Sequence, residues 1–347
     1  MLIVGGYTQR VDENTPGKAR GISVYDWLPG EAGLKFLGFV KTSNPSYVLT
    51  DQSRQIIYAV NEHSAAEGAA VVAFKVSRKK EDKLSFREIG QVPLAGDDPC
   101  HLAFAGRNLV VSCYTSGQVM ILPLDVEGAL GTVSQTFTFA ADNGREAHAH
   151  CSVFQPLPAQ ILVADLGSDR LRVLRREDDG SFTHAAELDL EFPDKQGPRH
   201  VALHPTGQYA VVNGEREGRV RLLTLSGDRP RITHTANALP ERVLDEAWGA
   251  AIRISKNGKM VYTTDRNFSV VHALRIDERS AVVRFRHSDP SGGDQPRDVI
   301  LSPDGDWLFT ANTASSSVGI FKIDPSGELT HYRTVPKVPT PTSFAWL

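Results

Sequence analysis

The chain has 347 residues, with 38 Lys and Arg set against 41 Asp and Glu, a formal net charge of −3. That balance excludes a blanket attraction to nucleic acid or to an anionic membrane, and no apolar run approaches the ~20 residues of a spanning helix. Cys100, Cys113 and Cys151 are an odd number, lack metal-ligand spacing and sit in apolar strand contexts, which reads as buried reduced thiols.

At the N-terminus, MLIVGGYTQR reads as a short strand followed by polar residues, with no basic region or cleavable apolar core. The expected compartment is the cytoplasm, although a mature form lacking its leader would read the same. The strand LIVGGYT has no full blade of its own and is expected to pair with the C-terminal strands. From Pro45 onward one phrase recurs: proline or a small residue, apolar alternation, a tight turn, then an aromatic and an apolar run. The copies begin at Pro45, Pro99, Ala149, Pro198, Gly249, Pro296 and Pro341, with gaps of 54, 50, 49, 51, 47 and 45 residues. A strand-built period of this length means a propeller or a solenoid. Seven copies predict an all-β, seven-bladed β-propeller of four-stranded antiparallel blades over residues 1–347, a single domain whose ring is closed by the two terminal strands.

Within each copy, Asp-Gly, Asn-Gly and Thr-Gly turns separate the strands. Helical periodicity is nearly absent, and LPERVLDEAWG (239–249) has room for one short helical turn. The charged stretches SRKKEDK (77–83) and RREDDGS (175–181) fall between strands and read as solvated outer hairpins.

The repeat also serves as a ruler. The start of an innermost strand and the end of the next lie at one mouth, near the axis, because antiparallel neighbours reverse over one short turn. One residue past each anchor stand Ser46, Cys100, His150, Arg199, Ala250, Arg297 and Thr342. Seventeen past stand Glu62, Leu166, Glu215, Arg266 and Thr313; blade 2 reads as one residue shorter in its first turn, which puts Thr115 in that place. Glu62, His150, Arg199, Glu215, Arg266 and Arg297 are thus expected to converge, where structural repetition alone favours small or apolar residues. His101 and His200, one step further on, are expected to face the blade interior as hydrogen-bonded structural histidines, and Asp165 and Asp265 to cap turns. His148 and His150 form a His-x-His pair without an obvious third ligand, so no metal is expected.

At these residues the chain resembles the seven-bladed propeller lactonase family, which includes the bacterial 6-phosphogluconolactonase and the fungal 3-carboxy-cis,cis-muconate lactonizing enzyme. The resemblance runs from VGGYT and GISVYDW to TPTSFAWL, and AHAHCSVF, ADLGSDRLRVL, GPRHVALHP, YAVVNGE, TDRNFSVV and QPRDVILSPDG carry it. It implies a catalytic set of His150, Arg199, Glu215 and Arg266, four of the six residues selected by the ruler. Glu62, Arg297, His148 and Ser46 are then expected to bind substrate. Two departures bear on substrate choice: the asparagine usual before the glutamate stands at Asn213, displaced by Gly214, and the usual Asn-Arg reads Asp265-Arg266.

The expected activity is hydrolysis of a sugar lactone, 6-phosphogluconolactone or a relative, without cofactor. Water attacks, arginines hold the developing oxyanion, and His150 or Glu215 is the base. The alternatives are a carboxymuconate-type cycloisomerase and a non-catalytic propeller scaffold. A calcium-dependent lactonase would recruit Glu62, Asn61 and Asn312, but neighbouring arginines disfavour a dication. The expected partner is a small lactone or carboxylate, with no nucleic acid and no membrane, on a monomer.

Overall fold

The computed structural model of the chain describes all residues except 12–14, 79–82, 141–143, 194 and 228. The innermost strands are Val48–Asp51, Pro99–Ala105, Ala149–Pro156, Pro198–Leu203, Gly249–Ile254, Pro296–Leu301 and Pro341–Trp346. Each touches the next, and the last touches the first, so the seven sheets close into a ring. We number the blades 1 to 7 in that order. Six are antiparallel meanders of consecutive sequence, and blade 3 carries a fifth short strand, Leu190–Glu191. Blade 7 joins the two ends of the chain: Pro341–Trp346 pairs antiparallel with Leu2–Gly6, which leads on to Ile22–Leu28 and Gly33–Val40. The closure expected from LIVGGYT is therefore present.

The second strand of a blade is covered on both faces, which explains uninterrupted apolar runs where a half-exposed strand would alternate. Ile56–Asn61 and Met260–Asp265 are buried at every residue. Seven apolar clusters result, each shared by two adjacent blades; one joins Ile56, Tyr58 and Val60 of blade 1 to Leu102 and Leu109 of blade 2. Full burial of one such aliphatic side chain stabilises by roughly 1.5–3 kcal/mol, so the interfaces between blades, rather than single sheets, hold the ring. Two buried tyrosines also latch onto the outer hairpin of the next blade. Tyr58 donates to Gly128 O at 2.6 Å and Tyr262 to Gly327 O at 3.0 Å. Both acceptors are glycines at left-handed φ, 85° and 90°, where a side chain would be strained and would meet the preceding blade.

The only helical segments among the described residues are short 3₁₀ turns, one of them at Glu241–Glu246, inside the stretch expected to hold a helical turn. RREDDGS lies exposed at an outer hairpin, as expected. Most of SRKKEDK lies outside the described residues.

Candidate active site

Where the innermost strands of blades 2 to 6 begin, the ladder to the second strand skips a residue. Ala149 pairs with Asp165 and Cys151 with Ala164, which leaves His150 unpaired. Arg199, Cys100 and Arg297 are skipped in the same way. A bulge takes the extra residue out of the alternation and re-aims its side chain. Several approaches are bent by a residue at left-handed φ: Asp98 at 53°, Gly197 at 59° and Gln295 at 56°. The residue that follows each second strand is drawn to the same mouth by its backbone N–H. Glu62 donates to Asn44 O, Glu215 to Gly197 O, Arg266 to Trp248 O and Thr313 to Gln295 O. In blade 2 this bond belongs to Tyr114, which donates to Asp98 O at 2.9 Å. Blade 2 is therefore two residues shorter than the others, not one, and Tyr114 rather than Thr115 holds the equivalent position. Its first hairpin closes over Gly106 and Arg107 alone, with Ala105 opposite Asn108.

A cavity of about 330 Å³ opens at this mouth. His150, Glu215, Trp248 and Arg266, from blades 3 to 5 and their linkers, form one wall. Arg297, Tyr7 and Glu62, from blades 6, 7 and 1, form the other, and Cys100 and Tyr114 of blade 2 lie between. On the first wall two guanidiniums converge on one carboxylate oxygen. Arg199 Nε and Arg266 Nη2 donate to Glu215 Oε2 at 2.9 and 2.8 Å. Arg266 also donates to Gly249 O and Trp248 O, and its guanidinium carbon stands 4.0 Å from the centre of the Trp248 ring. These bonds use Nε and Nη2 and leave Arg266 Nη1 and Glu215 Oε1 without a partner among the described residues. Asp265, at the strand end, accepts the Trp248 N–H at 2.9 Å and so fixes the tryptophan under the guanidinium.

Burial opposes the charge on Glu215, but Arg266, Arg199 and Arg297 outweigh it and hold the carboxyl below its ordinary value. Burial, reinforced by Arg199, Arg297 and Arg266, pushes His150 well below the usual histidine range, so its imidazole is neutral at pH 7. His150 Nδ1 is buried with no partner among the described residues. Burial pulls Arg266 down to about 9, against the opposing pull of Glu215, and it stays protonated at neutral pH. On the far wall the Tyr7 hydroxyl donates to Glu62 Oε1 at 2.8 Å and the Ser46 hydroxyl to Glu62 Oε2. Burial, with Glu62 nearby, raises the Cys100 thiol well above its ordinary value.

The structure brings His150, Glu215, Arg266, Glu62 and Arg297 to the cavity wall. Arg199 lies one layer beneath, 2% exposed, with Nη1 bonded to Ala250 O at 2.7 Å and to His200 Nε2 at 3.1 Å. Ser46 and His148 do not reach the wall. Ser46 is buried behind Glu62, and His148 folds back onto Tyr114, rings stacked at 4.6 Å, with Nδ1 donating to Tyr114 O. The expectation for His101 and His200 needs correction as well. Their rings lie 5.7 Å apart, and that of His150 lies 5.4 Å from His200. Blades 2 and 4 are not neighbours, so these rings meet across the axis; the bulge has shifted the alternation that would turn them inward. Asp98, Trp248 and Gln295 also line the cavity, each one residue before an anchor, where the same ruler read one step earlier finds them. Tyr7 is the strand-end residue of blade 7, hidden from the ruler because that blade is split between the chain ends.

Asn61 and Asn312 are turned to other partners, Thr42 and Ser291 O. Among the described residues no three His, Cys, Asp or Glu side chains converge to hold a metal ion.

The family model for the seven-bladed β-propeller lactonases matches residues 1–346. The chain belongs to the seven-bladed β-propeller lactonase family. Among its relatives, the 6-phosphogluconolactonase of Bacillus subtilis is 26% identical over 316 residues, covering 88% of each chain. That of Yersinia enterocolitica is 29% identical over 268 residues, covering 75% of this chain and 78% of the relative. The periplasmic gluconolactonase of Pseudomonas aeruginosa superposes with a TM-score of 0.89 at 25% identity, over 99% of this chain and 98% of that one. Of the four residues that the resemblance offered as a catalytic set, His150, Glu215 and Arg266 line the cavity and Arg199 lies in the layer that clamps the glutamate.

Proposed function

We propose that the cavity hydrolyses a sugar lactone of the aldonic type, 6-phosphogluconolactone foremost, by direct attack of water. The observation that carries this reading is the Glu215 clamp. One oxygen is held by Arg199 and Arg266, while Glu215 Oε1 is left as an acceptor and Arg266 Nη1 as a donor without a partner among the described residues. Water held by Glu215 Oε1 attacks the lactone carbon, and the carbonyl electrons move onto oxygen. Arg266 Nη1 and the neutral His150 donate to that oxyanion from fixed positions, so little reorganisation accompanies the charge. One such donor supplies roughly 10²–10³ in rate. Collapse of the tetrahedral centre breaks the bond to the ring oxygen, which takes the proton that Glu215 drew from water. The product is an open hydroxy acid, whose ionisation releases one proton.

The low basicity of Glu215 suits a base that receives the proton only as the carbon–oxygen bond forms, a role worth roughly 10²–10⁴. Burial, reinforced by the charges of Arg199, Arg297 and Arg266, disfavours the protonated form of His150, which supports a donor role for it over a basic one. Arg199 is a positioning residue that acts through Glu215.

The test is proton release in weak buffer with 6-phosphogluconolactone, gluconolactone and galactonolactone, the spontaneous rate subtracted. Acceleration of at least one supports the reading, and none on all three counts against it. In that event the clamp fits closure of a carboxylate onto a double bond, assayed by ultraviolet loss of a carboxymuconate.

A further inference from the structure

The two walls of the cavity differ in how their charges are engaged. On the wall of blades 3 to 5, Arg199 and Arg266 are buried and share Glu215. On blade 6, next to blade 5 in the ring, Arg297 is partly exposed to the cavity and makes no hydrogen bond or ion pair with the described residues. Its guanidinium carbon stands 5.4 Å from the centre of the Tyr7 ring. The nearby carboxylate, Glu62, is occupied at both oxygens by the hydroxyls of Tyr7 and Ser46. Those hydroxyls hold Glu62 without engaging Arg297, and the guanidinium keeps its full set of N–H donors. Burial works against its charge, yet Tyr7, Glu62 and Glu215 outweigh burial and raise its pKa, so it is a permanent cation.

We infer that Arg297 is the subsite for a phosphate carried by the lactone, at the end of the substrate remote from the reacting carbonyl. This rests on the lactonase reading and names the residue that sets its substrate preference. A planar fork of N–H donors matches phosphate oxygens two at a time. The bulge at the start of blade 6 aims that fork into the cavity that Glu215 also lines. Arg266 and Arg297 line the same cavity from adjacent blades, so one lactone can meet Arg266 with its carbonyl and Arg297 with its phosphate. Glu62 sets the strength of the subsite, because its charge opposes an incoming dianion.

The experiment compares kcat/KM for 6-phosphogluconolactone and for gluconolactone in wild type, Arg297→Gln, Arg297→Lys and Glu62→Gln, with melting temperature as the folding control. Calorimetric binding of 6-phosphogluconate and of gluconate gives a readout independent of turnover. Arg297→Gln is expected to lower the preference for the phosphorylated lactone about tenfold or more, through KM, as for loss of a charge-assisted hydrogen bond. Arg297→Lys restores part of it, and Glu62→Gln shifts the preference the opposite way, which keeps the idea testable if the Arg297 variants fold poorly. An unchanged preference in Arg297→Gln overturns the inference, as does equal loss on both lactones or wild-type binding of 6-phosphogluconate no tighter than of gluconate. If wild type accelerates neither lactone yet binds 6-phosphogluconate through Arg297, the lactonase reading fails and the subsite stands.

Discussion

Replacing Glu215 by Gln exchanges a carboxylate for a neutral amide of the same size. Arg199 and Arg266, only 2% and 5% exposed, are then left facing one another with no counter-charge between them. Removing one partner of a buried ion pair costs about 3–5 kcal/mol. The amide oxygen retains one of the two bonds at 2.8–2.9 Å, and the Glu215 side chain is 17% exposed, so the lower end applies. About 3 kcal/mol at about 2 °C per kcal/mol for a domain of this size gives a fall in Tm of roughly 6 °C. The rate falls by about 10²–10⁴ if Glu215 Oε1 is the base. Both are read from one preparation, by scanning calorimetry and by proton release with lactone. Arg199→Met removes one of the surplus charges, so the double variant Glu215→Gln/Arg199→Met should recover about 1 kcal/mol or more over the additive sum. A Glu215→Gln protein that melts within about 1 °C of wild type and keeps its rate would refute both the clamp and the base.

Stability should fall with acid well above the carboxylate range. His150, His200, His101 and His272 are buried and shifted down, His101 to about 3 and His272 to about 4, chiefly by burial and, for the first three, by neighbouring arginines. The unfolded chain binds those protons near pH 6.5 while the folded chain refuses them. Their contribution is therefore complete above that pH and is lost at about 1.4 kcal/mol per pH unit per histidine as pH falls, until each folded pKa is reached. Urea midpoints at pH 7, 6 and 5 measure this, and equal midpoints would be the contrary result. Gly249→Ala places a Cβ 2.2 Å from Gly214 O, beside Glu215, and is expected to cost about 1–3 kcal/mol and to lower kcat, checked by calorimetry and turnover. Cys100, a buried thiol with its pKa raised, should remain unalkylated by iodoacetamide at pH 7.5 in the native protein, as read by mass spectrometry. Dialysis against EDTA should leave the lactone rate unchanged, because the guanidiniums beside Glu62 and Glu215 repel a dication.

The ring was legible in the sequence because a blade is a local object. Each meander spans about fifty consecutive residues, and its turns and apolar runs are chain neighbours, so repetition counts the blades and dates each strand start. The same locality selected His150, Glu215, Arg266, Glu62 and Arg297. Side-chain direction at the axis was a tertiary matter. The skipped residue in each ladder turns His101 and His200 toward the axis, and alternation by itself cannot reveal that skip. Depth was tertiary as well: Arg199 and Arg297 occupy the same step of the repeat, yet one is buried under Glu215 and the other stands free. That difference comes from the neighbours they meet, Glu215 and Ala250 for Arg199, Tyr7 for Arg297. Tyr7 itself reaches the site only when the first strand closes against the last. Sequence determined which side chains arrive at the mouth, because that follows from local periodicity; which of them face the cavity was decided by contacts between blades distant in the chain.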